Sequence, residues 1–133
     1  MAQIVVGQTV GVTGSAAITV KESMQGASLY LDFVNAQGGV GGQKIELVVL
    51  DDKFDTKLTL ENARTLIEKH GAIALFMTRG TPHTQGIVPL LDEAGVVLVG
   101  PSTGAMALHK PGSRHVFSVR APYQVEVEKA ITH

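Results

Sequence analysis

Short aliphatic runs alternate along this chain with stretches of helical period, and this alternation restricts the fold more than any other feature. The runs are rich in Val, Ile and Leu and have the length of buried strands. They cover residues 3–10, 44–52, 72–77, 96–100 and 116–120. Between the first two, apolar residues recur every three or four positions and predict an amphipathic helix. Its apolar face consists of Val20, Met24, Ala27, Leu31 and Val34.

Two more helices are predicted from their start and stop signals. Asp55 or Thr56 can cap the first, which ends at Gly71, and Pro82 suits the first turn of the second, which ends at Gly95. A last helix is expected in "YQVEVEKAITH", against the strand-like alternation of Val and Glu in that segment. The apolar faces of the two central helices are predicted at Leu60, Ala63, Ile67 and His70, and at Ile87, Leu91 and Ala94.

This order of elements predicts an α/β fold. Strands that are apolar on both faces belong to a parallel sheet covered by helices on two sides. Right-handed crossovers favour a flavodoxin-like three-layer sandwich with a five-stranded parallel sheet in the order 2-1-3-4-5. A length of 133 residues predicts one domain, residues 1–133.

Composition argues against several classes of function. The formal charge is −1, with scattered basic residues, so neither a nucleic acid nor an anionic membrane is an expected partner. The chain has no cysteine, and its five histidines show no metal-ligand spacing. No G-x-S-x-G motif exposes a serine, so we expect neither an enzyme nor a metal site nor a bound cofactor.

Ligands of such sheets bind beyond the carboxyl ends of the strands. Two neighbouring loops there, "TRGTPHTQ" (78–85) and "GPSTGA" (100–105), carry small hydroxyls and free backbone amides. Together they suit a small carboxylate held by neutral donors at helix N-termini, with His83 as a further candidate donor. Ordinary turns have a similar composition, so the spacing alone leaves both interpretations open.

Two other stretches suggest alternative chemistry. "GQTVGVTGSAA" (7–17) lacks the spacing of a dinucleotide fingerprint or a P-loop. Its hydroxyls at Thr9, Thr13 and Ser15 could line a flavodoxin-type loop for FMN or phosphate, or Ser15 could simply cap the following helix. "DDKFD" (51–55) suggests Mg²⁺ binding or a phosphoacceptor, or a solvated turn in which Asp55 caps a helix.

Longer segments resemble a known family. "NAQGGVGGQKIELVVLDDKFD" is similar to the signature of type I periplasmic substrate-binding proteins of the leucine/isoleucine/valine-binding class, which serve ABC importers. "LFMTRGTPHTQGIVPLLDEAGVVLVGPSTGAMALHKP" and "VFSVRAPYQVEVEK" resemble the segments that follow in that family, in the same order.

The resemblance implies a two-lobed clamp in which this chain is the N-terminal lobe and binds an amino-acid-like ligand. Thr81 matches the carboxylate-binding hydroxyl, and Ser102 matches the position whose carbonyl faces the ammonium group. Gly104 stands where better-known members have Thr, which leaves a backbone amide but removes a side-chain donor. The full set of ligand-binding residues that the resemblance implies is Thr81, Ser102, Thr103, Gly104, Ala105 and Tyr123.

Members of this family are much longer than 133 residues. The resemblance therefore implies a truncated binding protein whose second lobe is absent, so that tight binding by this chain alone is not expected. The full-length parent would be periplasmic and would deliver its ligand to an ABC transporter permease. The opening "MAQ" is expected to be a start codon that replaces an export signal. Aliphatic surface that the missing second lobe and returning segment would cover is expected to be exposed, which predicts a homodimer, with exchange of the C-terminal element as one route.

Overall fold

The computed structural model describes residues 3–111 and 114–132. Met1 and Ala2 of the opening "MAQ", and His133 at the end of the predicted last helix, lie outside the described residues. The strands are β1 (Ile4–Val10), β2 (Ile45–Asp51), β3 (Ala74–Phe76), β4 (Val97–Val99) and β5 (Val116–Phe117). The helices are α1 (Ala17–Ala36), α2 (Thr56–Glu68), α3 (Thr81–Ala94) and α4 (Tyr123–Ile131), with a 3-10 turn at Met106–Leu108.

The five strands form one parallel sheet in the order β2-β1-β3-β4-β5, which confirms the predicted α/β topology. The longest pairing joins β1 to β2, from Ile4 opposite Ile45 to Val10 opposite Asp51. Parallel pairing brings the carboxyl ends of all the strands to one edge of the sheet. The loops that follow β1 to β5 therefore meet at that edge.

One face of the sheet is closed by α2 and α3, and we call it the sealed face. Its core joins Leu75 of β3 and Leu98 of β4 to Leu66 of α2 and Leu91 of α3, and all four side chains have no exposed surface. Gly7 of β1 faces the same core, because a Cβ added there would lie 2.9 Å from Leu75 Cδ2. Full burial of these side chains is the main source of the stability of the domain.

The opposite face is covered only in part, and we call it the open face. Here α1 packs over the β1–β2 side through a small cluster around Val10 and Val20. Towards β4 and β5 the apolar side chains of Val99 and Phe117 remain 38% and 55% exposed. Between α1 and the strands lies a cavity of about 320 Å³, lined only by apolar residues and Tyr30.

The helix boundaries mostly follow the sequence signals. Asp55 caps α2 as predicted, accepting from the amides of Lys57 and Leu58 at 2.8 and 3.0 Å. Gly95 ends α3 in the left-handed conformation that a side chain disfavours. The predicted cap of α1 by Ser15 is wrong, because the helix begins after Ala16 and no side chain caps it.

The predicted buried face of α2 is partly wrong. Ala63 is buried, but Leu60 is 37% exposed and His70 lies exposed beyond the end of the helix. Thr59 and Leu66 are buried in their place. The face is rotated because the Thr59 hydroxyl finds a buried carboxylate to bind, which allows a polar side chain to enter the core.

Candidate functional site

A cluster of hydroxyls lies where β3 and β4 end. Thr81 is the first residue of α3, and its Oγ1 lies 2.7 Å from Oγ1 of Thr103, in the loop after β4. The Tyr123 hydroxyl, at the start of α4, donates to the same Thr103 oxygen at 3.3 Å. The amide of Ala105 donates to it as well, at 3.2 Å. Three of the predicted site residues thus contact the hydroxyl of a fourth, Thr103, which is fully buried.

The hydrogen bonds determine where the hydroxyl protons lie. A threonine oxygen has two lone pairs and one proton. Both lone pairs of Thr103 Oγ1 are used by Ala105 and Tyr123, so its own proton is donated to Thr81 Oγ1. The Thr81 hydroxyl proton is therefore not used by Thr103 and can donate to the nearby Tyr123 oxygen or to a ligand. The first-turn amide of Thr81 also has no acceptor within its helix, because α-helices leave these amides unpaired.

Gly104 makes the approach of α4 possible. A Cβ at Gly104 would lie 2.7 Å from the Ala121 carbonyl oxygen and 2.8 Å from Tyr123 Cδ1. The Tyr123 amide donates to the Gly104 carbonyl at 2.8 Å. The glycine that the resemblance marked as a departure from better-known members thus lets the Tyr123 side chain occupy the adjacent space.

The surroundings of Tyr123 favour its ionised form. Hydrogen bonding to Thr103, with smaller contributions from the Gly104 backbone, Thr81 and the Arg120 guanidinium, lowers the pKa of Tyr123 below its usual 10.0, against the effect of burial. The guanidinium carbon of Arg120 lies 5.0 Å from the centre of the ring. Arg120 is itself held by two hydrogen bonds to Glu126, of 2.7 and 2.8 Å.

Ser102 lies apart from this hydroxyl cluster. Its amide donates to the Thr78 carbonyl at 2.7 Å, and its backbone pairs with Arg79. Ser102 and Arg79 line a narrow crevice that faces Val20 and Ser23 of α1. Successive residues of an extended segment point to opposite sides. Ser102 therefore lines the crevice towards α1, whereas Thr103 belongs to the hydroxyl cluster.

His83 does not face the solvent. Its ring stacks on Phe54 with centroids 4.3 Å apart, and only 5% of the residue is exposed. Neither ring nitrogen has a hydrogen-bond partner among residues 3–111 and 114–132. Gly80 allows this packing, since a Cβ there would collide with the ring. His83 therefore supports the loops behind the hydroxyl cluster.

The first loop is tied to carboxylates. The Thr13 hydroxyl donates to Asp51 at 2.6 Å, and the Thr9 hydroxyl donates to Asp52 at 3.2 Å. Burial acts to raise the pKa of Asp51, but hydrogen bonds from Thr13 and Lys53 outweigh it and lower that pKa below its usual 3.8. An anionic carboxylate beside these hydroxyls repels phosphate. The loop therefore does not favour the FMN or phosphate alternative.

The "DDKFD" turn is more than a solvated turn. Asp52 is only 1% exposed and accepts hydrogen bonds from Thr9, Thr59 and the Phe54 amide. The described part of the chain contains no group of three metal-ligating side chains. The loop backbone is strained at Lys53 and Phe54, whose φ angles are 53° and 61°. Asp52 thus anchors this strained turn to the first loop.

No helix within the described residues is both long enough and apolar enough to cross a membrane.

Sequence comparison finds one family model that covers nearly the whole chain. Residues 3–133 match the model described as periplasmic binding protein. The chain is also 31% identical over 103 residues to an amino acid binding protein of Pseudomonas aeruginosa. That match covers 77% of this chain and 28% of the relative.

Structural comparison gives the same result. The chain superposes on a substrate-binding periplasmic protein from Ralstonia solanacearum with a TM-score of 0.91 and 36% identity, over 98% of this chain and 37% of that one. It also superposes on the branched-chain amino acid transporter substrate binding protein of Streptococcus pneumoniae, solved in complex with isoleucine, with a TM-score of 0.82 and 25% identity. That match covers 91% of this chain and 34% of the other, so the chain spans about a third of the length of these proteins.

Sequence reasoning missed two features of this edge. The burial of Asp52 was not expected, although its position directly after β2 and the hydroxyl of Thr59 on α2 were visible signals. The contacts of His109 were also missed, because they depend on how two loops distant in sequence lie against each other.

Proposed function

Because the chain belongs to the periplasmic binding protein family, we propose that it forms one wall of a binding cleft for amino-acid-like ligands. The matched family is one of binding proteins rather than enzymes, as the sequence predicted. In our proposal the ligand-binding residues are Thr81, Ser102, Thr103, Gly104, Ala105 and Tyr123. The Thr81 hydroxyl donates to the ligand carboxylate.

The single observation that carries this proposal is the contact of Thr81 with Thr103, which leaves the Thr81 proton unused by Thr103. A carboxylate only accepts hydrogen bonds, so it needs a donor whose proton is not already used. The Thr81 proton meets this need because Thr103 fills a lone pair of its oxygen. The N-terminus of α3 adds a partial positive charge at the same place. Both features favour a small anionic group over a neutral one.

The test is a titration of isotope-labelled protein followed by NMR, with isoleucine and isoleucinamide as probes. The two probes share a side chain, but only isoleucine carries a carboxylate. We expect isoleucine to shift the amide signals of Thr81, Thr103 and Ala105, and isoleucinamide to leave them unchanged. Thr81→Val removes the hydroxyl and is expected to abolish the shifts.

Thr56→Val is the matched control, since Thr56 is likewise the first residue of its helix but lies at α2. It is expected to leave the isoleucine shifts intact. Equal shifts with both probes, or shifts that survive in Thr81→Val, would contradict the proposed role of the hydroxyl.

We propose further that residues 1–133 are one α/β lobe, the N-terminal lobe of a two-lobed binding protein. Support comes from the length comparison, since 98% of this chain matches 37% of the Ralstonia protein. A single wall offers only part of the contacts of a closed cleft, so binding by this lobe alone is expected to be weak. In the complete protein we propose a periplasmic location and delivery of the ligand to an ABC transporter permease.

We also propose that this chain forms a homodimer through its open face. Apolar side chains remain exposed there on α1, β4 and β5, and exposed apolar surface of this kind marks protein interfaces. The cavity beneath them has no charged lining residue, and a net charge of −1 gives two copies little reason to repel. No described residue of α4 is buried, which leaves this helix available for exchange between copies.

Sedimentation equilibrium over a wide range of concentrations tests the homodimer. We expect the wild type to self-associate and Phe117→Lys, on the open face, to remain monomeric. Leu60→Lys is the control, because Leu60 is also partly exposed but lies on α2. A wild-type protein that stays monomeric at the highest concentration would refute the dimer.

A further inference from the structure

His109 contacts two backbone carbonyl oxygens at once. Its Nδ1 lies 3.0 Å from the carbonyl oxygen of Ala105, and its Nε2 lies 3.0 Å from that of Arg120. A carbonyl oxygen can only accept a hydrogen bond, so each ring nitrogen must donate. Neutral histidine carries one N–H and imidazolium carries two. The two contacts therefore select the imidazolium form.

The ring joins two segments that build the hydroxyl cluster. Ala105 directly follows Thr103 and Gly104, and its amide donates to Thr103. Arg120 precedes Tyr123, whose hydroxyl reaches the same threonine. On the basis of the proposed function, we propose that doubly protonated His109 is a positioning residue that clasps these segments together and holds Tyr123 on Thr103.

The electrostatics of the ring agree with this geometry. The carbonyl of Arg120, and then that of Ala105, raise the pKa of His109 above its usual 6.5, against the opposing effect of burial. The other titratable side chains of the two joined segments are Lys110, Arg120, Tyr123 and Glu126. The Arg120 charge is balanced by Glu126, and no charged side chain contributes to the shift.

Loss of one proton would open the clasp. A neutral ring keeps one hydrogen bond and turns a nitrogen lone pair towards the other carbonyl, which is repulsive at 3.0 Å. When Tyr123 leaves Thr103, a lone pair of the threonine becomes free and can accept the Thr81 proton. The proton released in exchange belongs to the fully buried Thr103, so the Thr81 proton is no longer directed towards the ligand. His109 thus couples the protonation of one ring to the donor capacity of Thr81.

The first measurement is the ¹⁵N NMR spectrum of the histidine rings of the whole chain as a function of pH, without ligand. We expect both His109 nitrogens to be protonated at pH 6.5, with a titration midpoint above 6.5. His70 is the internal reference, because it is exposed and lies outside the two joined segments. A single neutral tautomer at pH 6.5 would overturn the proposal.

The second measurement follows the Tyr123 ring and the Ala105 amide in the same samples. We expect both signals to change with the His109 midpoint, and the Tyr123 change to disappear in His109→Gln, because glutamine does not titrate. His70→Gln should leave the profile unchanged. Tyr123 signals that stay constant while His109 titrates would refute the clasp, and this wild-type result stands even if His109→Gln does not fold.

Neither measurement uses a ligand, so the clasp and the proposed function fail independently. If His109 and Tyr123 titrate together but isoleucine shifts nothing, the clasp is correct and the ligand assignment is wrong. If isoleucine binds at Thr81 with the same strength below and above the His109 midpoint, the coupling to the site is wrong. We expect the isoleucine response to weaken as the pH rises through that midpoint.

Discussion

The two faces of the sheet differ in how completely they are covered. On the sealed face, α2 and α3 bury Leu66, Leu75 and Leu98 with no exposed surface. On the open face, α1 covers only the β1–β2 side, and Phe117 on β5 is more than half exposed. The same strands supply both faces, so the difference lies in the helices. It separates residues that hold the fold together from residues that are available for contact.

The candidate site draws its rigidity from the sealed side. Thr84 of α3 shares a buried hydrogen bond of 2.9 Å with Thr78, which fixes the start of the helix that carries Thr81. Thr103 is fully buried beside it. The segment of Tyr123, in contrast, belongs to α4, in which no residue is buried. The site thus combines a donor on a buried framework with a segment exposed to solvent.

The largest expected effect is on the sealed face. Leu75→Ala removes a side chain with no exposed surface and leaves a cavity, which should lower the free energy of unfolding by about 2–5 kcal/mol. Phe117→Ala on the open face should lower it by less than about 1 kcal/mol, since more than half of this residue is already in water. Urea denaturation of both variants at low protein concentration measures the difference.

Similar losses in the two variants would mean that the open face is covered in solution. Repeating the denaturation at high protein concentration then tells whether a second copy covers it, because only dimer stability rises with concentration.

The second effect on stability compares Gly7, which faces the sealed face, with Gly26 on α1 of the open face. Gly7→Ala would place a Cβ 2.9 Å from Leu75 and 3.0 Å from Leu66, and this overpacking should cost about 1–3 kcal/mol. Gly26→Ala, on α1, meets no atom within 4 Å and replaces a helix-interior glycine, so it should stabilise the protein by about 0.5–1 kcal/mol. Thermal unfolding that moved in the same direction for both variants would contradict the comparison.

The sequence predicted the topology of both faces but not their unequal covering. The strand runs, the stop at Gly95 and the Asp55 cap are local signals that were confirmed, whereas the cap by Ser15 was wrong. The predicted buried face of α2 was wrong at Leu60 and His70, because helical spacing alone also allows a face rotated around the helix axis. Which face is buried depends on Asp52, which lies outside α2 and binds Thr59.

The candidate site, like the fold, was only partly predictable from the sequence. Hydroxyls after β3 and β4 follow from the sequence and the edge rule, and the structure brings Thr81 and Thr103 together. The placement of Tyr123 on Thr103 depends on Gly104, where only a missing side chain allows the approach. The two contacts of His109 form only because the segments of Ala105 and Arg120 lie close together. The sequence pattern does not predict how close these segments lie.

A smaller loss of stability is expected when the buried hydroxyl of Thr59, on α2, is removed. Thr59→Val keeps the shape of the side chain but removes a donor from Asp52, which is 1% exposed. Because Thr9 and the Phe54 amide still donate to this carboxylate, the loss should be about 1 kcal/mol. The exposed Thr56→Val is the control and should change the urea midpoint little. A neutral Thr59→Val would show that the hydroxyl is not required for burial.

The smallest effect distinguishes the starts of the two helices. α2 is capped by Asp55, whereas no side chain caps α1. Hydrogen bonds from the amides of Leu58 and Lys57 lower the pKa of Asp55 below its usual 3.8. The folded state therefore holds its proton less tightly than the unfolded state, so the cap stabilises the fold above pH 3.8 and is lost as the pH falls through the lowered pKa.

Asp55→Asn keeps a capping oxygen but does not titrate. It should remove a small part of the acid destabilisation expected below pH 3.8 while changing stability little at pH 7. Asp32→Asn, on α1, removes an exposed carboxylate that accepts no hydrogen bond from the described residues and serves as the matched control. Unfolding curves between pH 2 and 7 give the comparison. If Asp55→Asn and Asp32→Asn change the acid limb equally, net charge rather than the cap of α2 controls it, and the two helix starts do not differ energetically.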